Sequence, residues 1–166
     1  MLNLPNILLC FMLLSYINPI YIVYNNYNNN YTISEIITND KIKYKIFFSA
    51  MLMGIFTIIY EFYRNYYSLL IITFLLIGII GVIFTEEKKN IFCYHNIFAF
   101  IAFLSINIFM IFHAYNKSNN ILFLLFLLQI LFILLTFKNI YFKIFYYECI
   151  MLFNFFIFYI YLHLLK

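Results

Sequence analysis

Six apolar runs, each about as long as a lipid bilayer is thick, constrain this chain more than anything else in it. They cover 4–24, 46–63, 67–85, 96–115, 119–137 and 144–165. A hydrocarbon core of ~30 Å takes about 20 residues of helix to cross. Within it every backbone N–H and C=O must be satisfied inside the structure, which favours helices. The runs predict an all-α polytopic membrane bundle of six transmembrane helices, forming one domain over 1–166. Composition agrees. The chain is 67% hydrophobic and 10% charged, with a mean hydropathy of +0.98. A soluble domain is about half apolar and roughly a quarter charged, so there is too little polar surface here to coat a soluble particle.

Composition also limits what single residues can mean. Phe, Tyr, Ile, Asn and Lys abound, Gly and Pro are scarce, and Trp is absent. That is the signature of an AT-rich coding genome, so an aromatic at any one position carries little weight as a binding residue. The net charge of +4 is scattered, and no basic run points to nucleic acid. Cys10, Cys93 and Cys149 lie far apart without metal-ligand spacing and read as apolar thiols.

The first run carries Pro5, suited to a first helical turn, and Pro19, which predicts a kink near its end. It has neither the basic start nor the small-residue cleavage site of a signal peptide, so a retained helix is expected. The polar loop 25–45 opens with the low-complexity tract NNYNNNYT and continues through Glu35, Asp40 and three lysines. Asn30 begins one glycosylation sequon and Asn116 another. The second run ends on Glu61 and Arg64, spaced for an interfacial ion pair. The short turn after it predicts a helical hairpin with the third run. There Gly78 and Gly81 share a face and would let another helix approach closely.

The fourth run places His95, Ala99, Ala102, Ile106, Met110 and His113 at alternating spacings of four and three. That is one helix seam, with Ala99 and Ala102 as packing positions beside Gly78 and Gly81. The two histidines lie five turns apart, about 27 Å, too far to share a metal. The charged loop 86–89 precedes this run. The fifth run holds Gln129, and the sixth holds Glu148, Asn154 and His163. Asn107, Gln129 and Asn154 read as helix–helix contacts; Glu61, His113 and His163 read as interfacial.

With six spans, loops 1, 3 and 5 carry Lys41, Lys43, Lys45, Lys88, Lys89, Lys138 and Lys143, against Arg64, Lys117 and Lys166 on the other side. The positive-inside rule puts those loops in the cytoplasm.

Glu148 is the most informative polar residue. A carboxylate about one turn into a membrane helix costs a few kcal/mol unless it is interfacial, paired or wet. His95 enters the fourth helix from the same side, where Glu35 also lies. Two readings stand. His95 and Glu148 form an interhelical hydrogen bond that fixes packing, or His95, Glu148 and Glu35 form a polar cluster that meets lipid headgroups. Catalysis is not expected, because no nucleophile motif, Gly-rich phosphate loop or zincin helix occurs. No metal ligand set and no cofactor motif is found.

The order of features resembles the superfamily of the damage-regulated autophagy modulators, which includes the FGF-receptor-activating proteins and the yeast suppressor of four-kinase deletion. The residues that carry the likeness are ISE at 33–35 in a long first loop, IFFSAMLMG at 46–54, HNIFAFIAF at 95–103 and YYECI at 146–150. Glu35 stands where the family has Asp, Asp40 and Lys41 stand where it has Pro-Glu, and the Trp beside the last-helix acid is missing. The resemblance implies a non-catalytic or lipid-handling endomembrane protein, with Glu35, His95, Ala99 and Glu148 as matching residues. It also implies a lumenal first loop, opposite to the lysine count. The expected function is thus that of a small integral membrane protein in membrane lipid homeostasis or autophagy, contacting lipid headgroups. The alternative is an accessory subunit of a larger membrane assembly, in an organellar, endomembrane or viral membrane. Its expected partners are membrane lipids and other membrane proteins.

Overall fold

The computed structural model describes residues 4–27, 31–64, 68–85, 94–138 and 144–165. Among these are seven helices and no strand: α1 (Leu4–Asn25), α2 (Ile33–Ile37), α3 (Lys43–Arg64), α4 (Leu69–Phe84), α5 (Tyr94–Lys117), α6 (Asn120–Lys138) and α7 (Ile144–Leu164). Each predicted apolar run is a helix, and α1 continues through Pro19 to its end at Asn25. The expectations for Asn30, the loop 86–89, Cys93, Lys143 and the turn at 65–67 lie outside the described residues.

Among the described residues four helices are long and apolar enough to cross a membrane: Asn6–Asn25 of α1, α3, α5 and α7. The apolar helices α4 and Asn120–Thr136 of α6 are shorter. The 16 residues of α4 extend ~24 Å at 1.5 Å each, less than a ~30 Å core. Four of the six predicted crossings are therefore supported by length and composition.

The chain divides into two compact units, Met1–Ser105 and Ile106–Lys166, and α5 contributes to both. In the first unit α3 and α4 form the predicted antiparallel hairpin. Phe47 of α3 meets Phe84 edge-on at 5.0 Å, Gly54 faces Leu76, and Glu61 meets Ser68 at the hairpin's closed end. As α3 rises its partners on α4 descend. The opening half of α5 repeats the pattern against α4: His95 meets Thr85, Phe98 covers Gly81 and Ala102 abuts Gly78. On the other side of α3, Phe11 of α1 stacks on Phe56 with ring centroids 5.8 Å apart.

The short helix α2 has no counterpart among the predicted runs. Its reason is local. Thr32 and Glu35 form a capping box, in which each side chain satisfies the other residue's backbone N–H. The helix then buries Ile36, and the following turn buries Ile42.

In the second unit Ser118 takes a positive φ of 47°, which turns the chain sharply between α5 and α6. The Asn119 side chain accepts from the N–H groups of Ile121 and Leu122, starting α6 as an N-cap. Phe109 of α5 is fully buried, stacking on Tyr159 at 5.7 Å and meeting Phe155 edge-on at 5.8 Å.

Large apolar side chains point outward along the long helices. Examples are Leu14 and Ile20 on α1, Phe62 on α3, Phe100 on α5, Leu127 on α6 and Phe153 on α7, each at least 60% exposed. Soluble proteins rarely leave contiguous apolar faces of this kind bare.

Candidate functional site

Most of the polar side chains inside this structure have identifiable structural partners. On α3, Ile46, Ala50, Gly54, Thr57 and Glu61 are buried at the spacing of one helix face. That register carries Glu61 inward. Only 1% of it is exposed, and its Oε2 accepts a 2.6 Å hydrogen bond from the fully buried Ser68 hydroxyl. Near the end of α3, where the run closes, Glu61 is thus packed inside the first unit. One turn earlier Thr57 donates to the Met53 carbonyl at 2.8 Å. Its only proton is used there, so the Tyr16 hydroxyl of α1, 3.2 Å away, donates to Thr57. Arg64, exposed at the helix end, donates to the buried Tyr60 hydroxyl at 3.2 Å. The guanidinium in the last turn also suits the negative end of the α3 dipole.

The sequence pattern contained the signal for this group. Glu61 follows Gly54 by seven residues and Thr57 by four, which puts all three on one face. Its nearness to the end of the run suggested an interface. Ser68 carried no such signal, because its role depends on how the hairpin closes.

His95 is the second residue of α5 and is 2% exposed. Its Nδ1 lies 3.0 Å from the Thr85 carbonyl oxygen. A carbonyl can only accept, so Nδ1 donates in this contact. Among the described residues Nε2 is buried with no hydrogen-bond partner. A buried polar group left so costs about 1–3 kcal/mol. Beneath it, Gly81 gives room to the Phe98 ring and Gly78 to the backbone of Ala102. Ala99 is half-buried on the same helix.

Glu35 serves the capping box. Its Oε2 accepts from the Thr32 N–H at 2.6 Å, while its own N–H donates to the Thr32 hydroxyl at 3.1 Å. That gives the ISE segment a local structural reason.

In the second unit Glu148 is half-buried in the second turn of α7. Deeper in the same helix Asn154 donates to the Leu125 carbonyl at 2.9 Å and to Gln129 Oε1 at 2.8 Å, fastening α7 to α6. Gln129 is fully buried, and among the described residues its Nε2 has no hydrogen-bond partner. His113, near the end of α5, is 4% exposed, with its ring 4.3 Å from that of Phe109. His163 lies 4.3 Å from the Tyr159 ring.

His95 belongs to the first unit and Glu148 to the second, so each is described in its own surroundings. Among the described residues no group of three or more His, Cys, Asp or Glu side chains is placed to hold a metal ion. No family model matches this chain, and neither a curated protein nor a solved structure matches it.

Proposed function

We propose that this chain is a small integral membrane protein whose six apolar helices, four long and two shorter, cross a bilayer, and that it acts through lipid headgroups without a catalytic step of its own. The observation that carries the reading is the buried Nε2 of His95, which has no hydrogen-bond partner among the described residues. Most polar groups within the helices serve packing: Glu61 holds Ser68, and Asn154 holds Gln129. His95 sits at the start of a helix long enough to span, where headgroup hydroxyls and amines lie. Such a group, able to donate or accept, would supply the partner that Nε2 lacks among the described residues. Glu148, half-buried in the second turn of α7, is the second contact, in its own unit. On this reading, lipid homeostasis in an endomembrane is the role that the likeness to the autophagy modulators suggests.

The internal pairing of Asn154 with Gln129 favours a second reading, an accessory subunit of a larger membrane assembly, held by packing alone. Native mass spectrometry of the detergent-extracted protein separates the two. Headgroup contact requires that His95→Ala or Glu148→Gln release co-purifying lipid while helicity is kept. An accessory subunit keeps its lipid profile in both variants but loses its assembly when Gly78→Leu forces α4 from α5. Unchanged lipid retention in both polar variants would end the headgroup reading.

A further inference from the structure

The outward face at the start of α3 changes character in a regular order along the helix. Lys41, in the turn before the helix, and Lys45, in its first turn, are exposed. Tyr44 and Phe48 between and after them are 59% and 69% exposed. Leu52, Ile55 and Ile59 continue the same face, each more than two-fifths exposed. Opposite them Ile42, Ile46, Ser49 and Ala50 are buried. The outward face therefore runs from cations, through aromatics, to aliphatic side chains. From Lys45 to Arg64 the helix rises ~28 Å, close to the thickness of a hydrocarbon core.

The acidic groups of this segment are already engaged. Asp40 pairs with Lys43, and the Glu35 carboxylate accepts from the Thr32 backbone. Among the described residues neither Lys41 nor Lys45 has an ion-pair partner. Two cations with no ion-pair partner among the described residues thus stand beside two exposed aromatic side chains.

We infer that the start of α3 is a docking surface for anionic phospholipid, with Lys41 and Lys45 on the phosphate and acidic headgroup, and Tyr44 and Phe48 at the glycerol level. An acidic soluble protein would cover the cations but leave the aliphatic continuation of the face bare. One leaflet covers both. The inference rests on the bilayer-spanning reading above and adds the charge class of the lipid, using residues other than His95 and Glu148.

The chain has no tryptophan, so Phe48→Trp introduces a single reporter at an exposed position. The full-length protein carrying it is reconstituted in vesicles of phosphatidylcholine and phosphatidylglycerol, with bromine on the chains of one lipid or the other. A lysine near an anionic membrane surface enriches acidic lipid by about five-fold. Brominated phosphatidylglycerol should therefore quench the reporter several-fold more, per mole, than brominated phosphatidylcholine. The preference should fall to near unity in Lys41→Gln/Lys45→Gln and should shrink in 1 M salt. Equal quenching by the two lipids, or a preference that survives loss of both lysines, overturns the inference and leaves the spanning reading intact. No quenching by either lipid overturns the spanning reading itself, and the inference with it.

Discussion

Adding one methyl group at Gly78 should cost more stability than adding the same group at Gly54, and the reason is geometric. A Cβ at Gly78 would lie 2.7 Å from the Ala102 nitrogen and 2.9 Å from its Cα and Cβ. Carbon atoms rest at about 3.5–4.0 Å, so α4 and α5 must part by ~0.8 Å. Backbone cannot rotate aside. The same movement lifts Phe98 from Gly81 and stretches the His95–Thr85 contact beyond its present 3.0 Å. A gap of that size forfeits a quarter to a half of each dispersion contact along the seam. Overpacking of this kind costs about 1–3 kcal/mol, against a gain of up to about 1 kcal/mol in helix propensity. Gly78→Ala should therefore lose roughly 1–2 kcal/mol. At Gly54 the new Cβ meets only the tip of Leu76, at 2.7 and 2.9 Å. A leucine tip can change rotamer, so Gly54→Ala should lie within about 0.5 kcal/mol of wild type. The propensity gain is common to both variants and cancels in their difference. Reversible unfolding in mixed micelles titrated with SDS, followed by circular dichroism, measures that difference. Ala102→Gly should rescue Gly78→Ala only in part, since the nitrogen and Cα of residue 102 stay in place. If Gly78→Ala proves as stable as Gly54→Ala, the α4–α5 seam is not packed as described.

Three further outcomes follow from the buried polar contacts. Ser68→Ala removes the hydroxyl that Glu61 accepts from and should cost about 1.5–3 kcal/mol in the same unfolding assay; an unchanged midpoint would show that Glu61 draws its satisfaction elsewhere. Asn154→Leu should cost about 0.6–1.7 kcal/mol, the range of interhelical hydrogen bonds in membranes, and a double-mutant cycle with Gln129→Leu should show positive coupling; additive losses would refute the pair. Thr32→Ala breaks the capping box and should cost about 0.5–2 kcal/mol locally, read as faster amide exchange over 33–37 with α3 unaffected; exchange unaltered there would deny α2 its cap.

The helices were legible because length and apolarity alone mark them, and the glycines at 78 and 81 were legible because small residues have few other uses on such a face. Other features depended on partners that no spacing reveals. His95 bonds to a backbone carbonyl, which every residue possesses, so nothing in its neighbourhood singled out Thr85. Glu61 was read by its position near the end of a run, and its helix face, shared with Gly54 and Thr57, decides its burial. The segment TISE was read for its charge, yet the same four residues are a helix-start signal, Thr and Glu three apart. The first unit's α3–α4 register was foreseen only as a hairpin; its detail depends on Ser68 closing the end.

On the bilayer-spanning reading, the Asn154–Gln129 pair also bears on how the chain would enter a membrane. Gln129 leaves the ribosome 25 residues ahead of the asparagine that bonds to it. Alone in lipid, α6 would carry an unshielded amide at its middle, in one of the two shorter apolar helices. Once α7 is made, Asn154 donates to Gln129 Oε1 and covers part of that polar load. If both helices cross, the favourable course at the translocon is release of α6 and α7 as a joined hairpin, with α6 retained until its partner has been made.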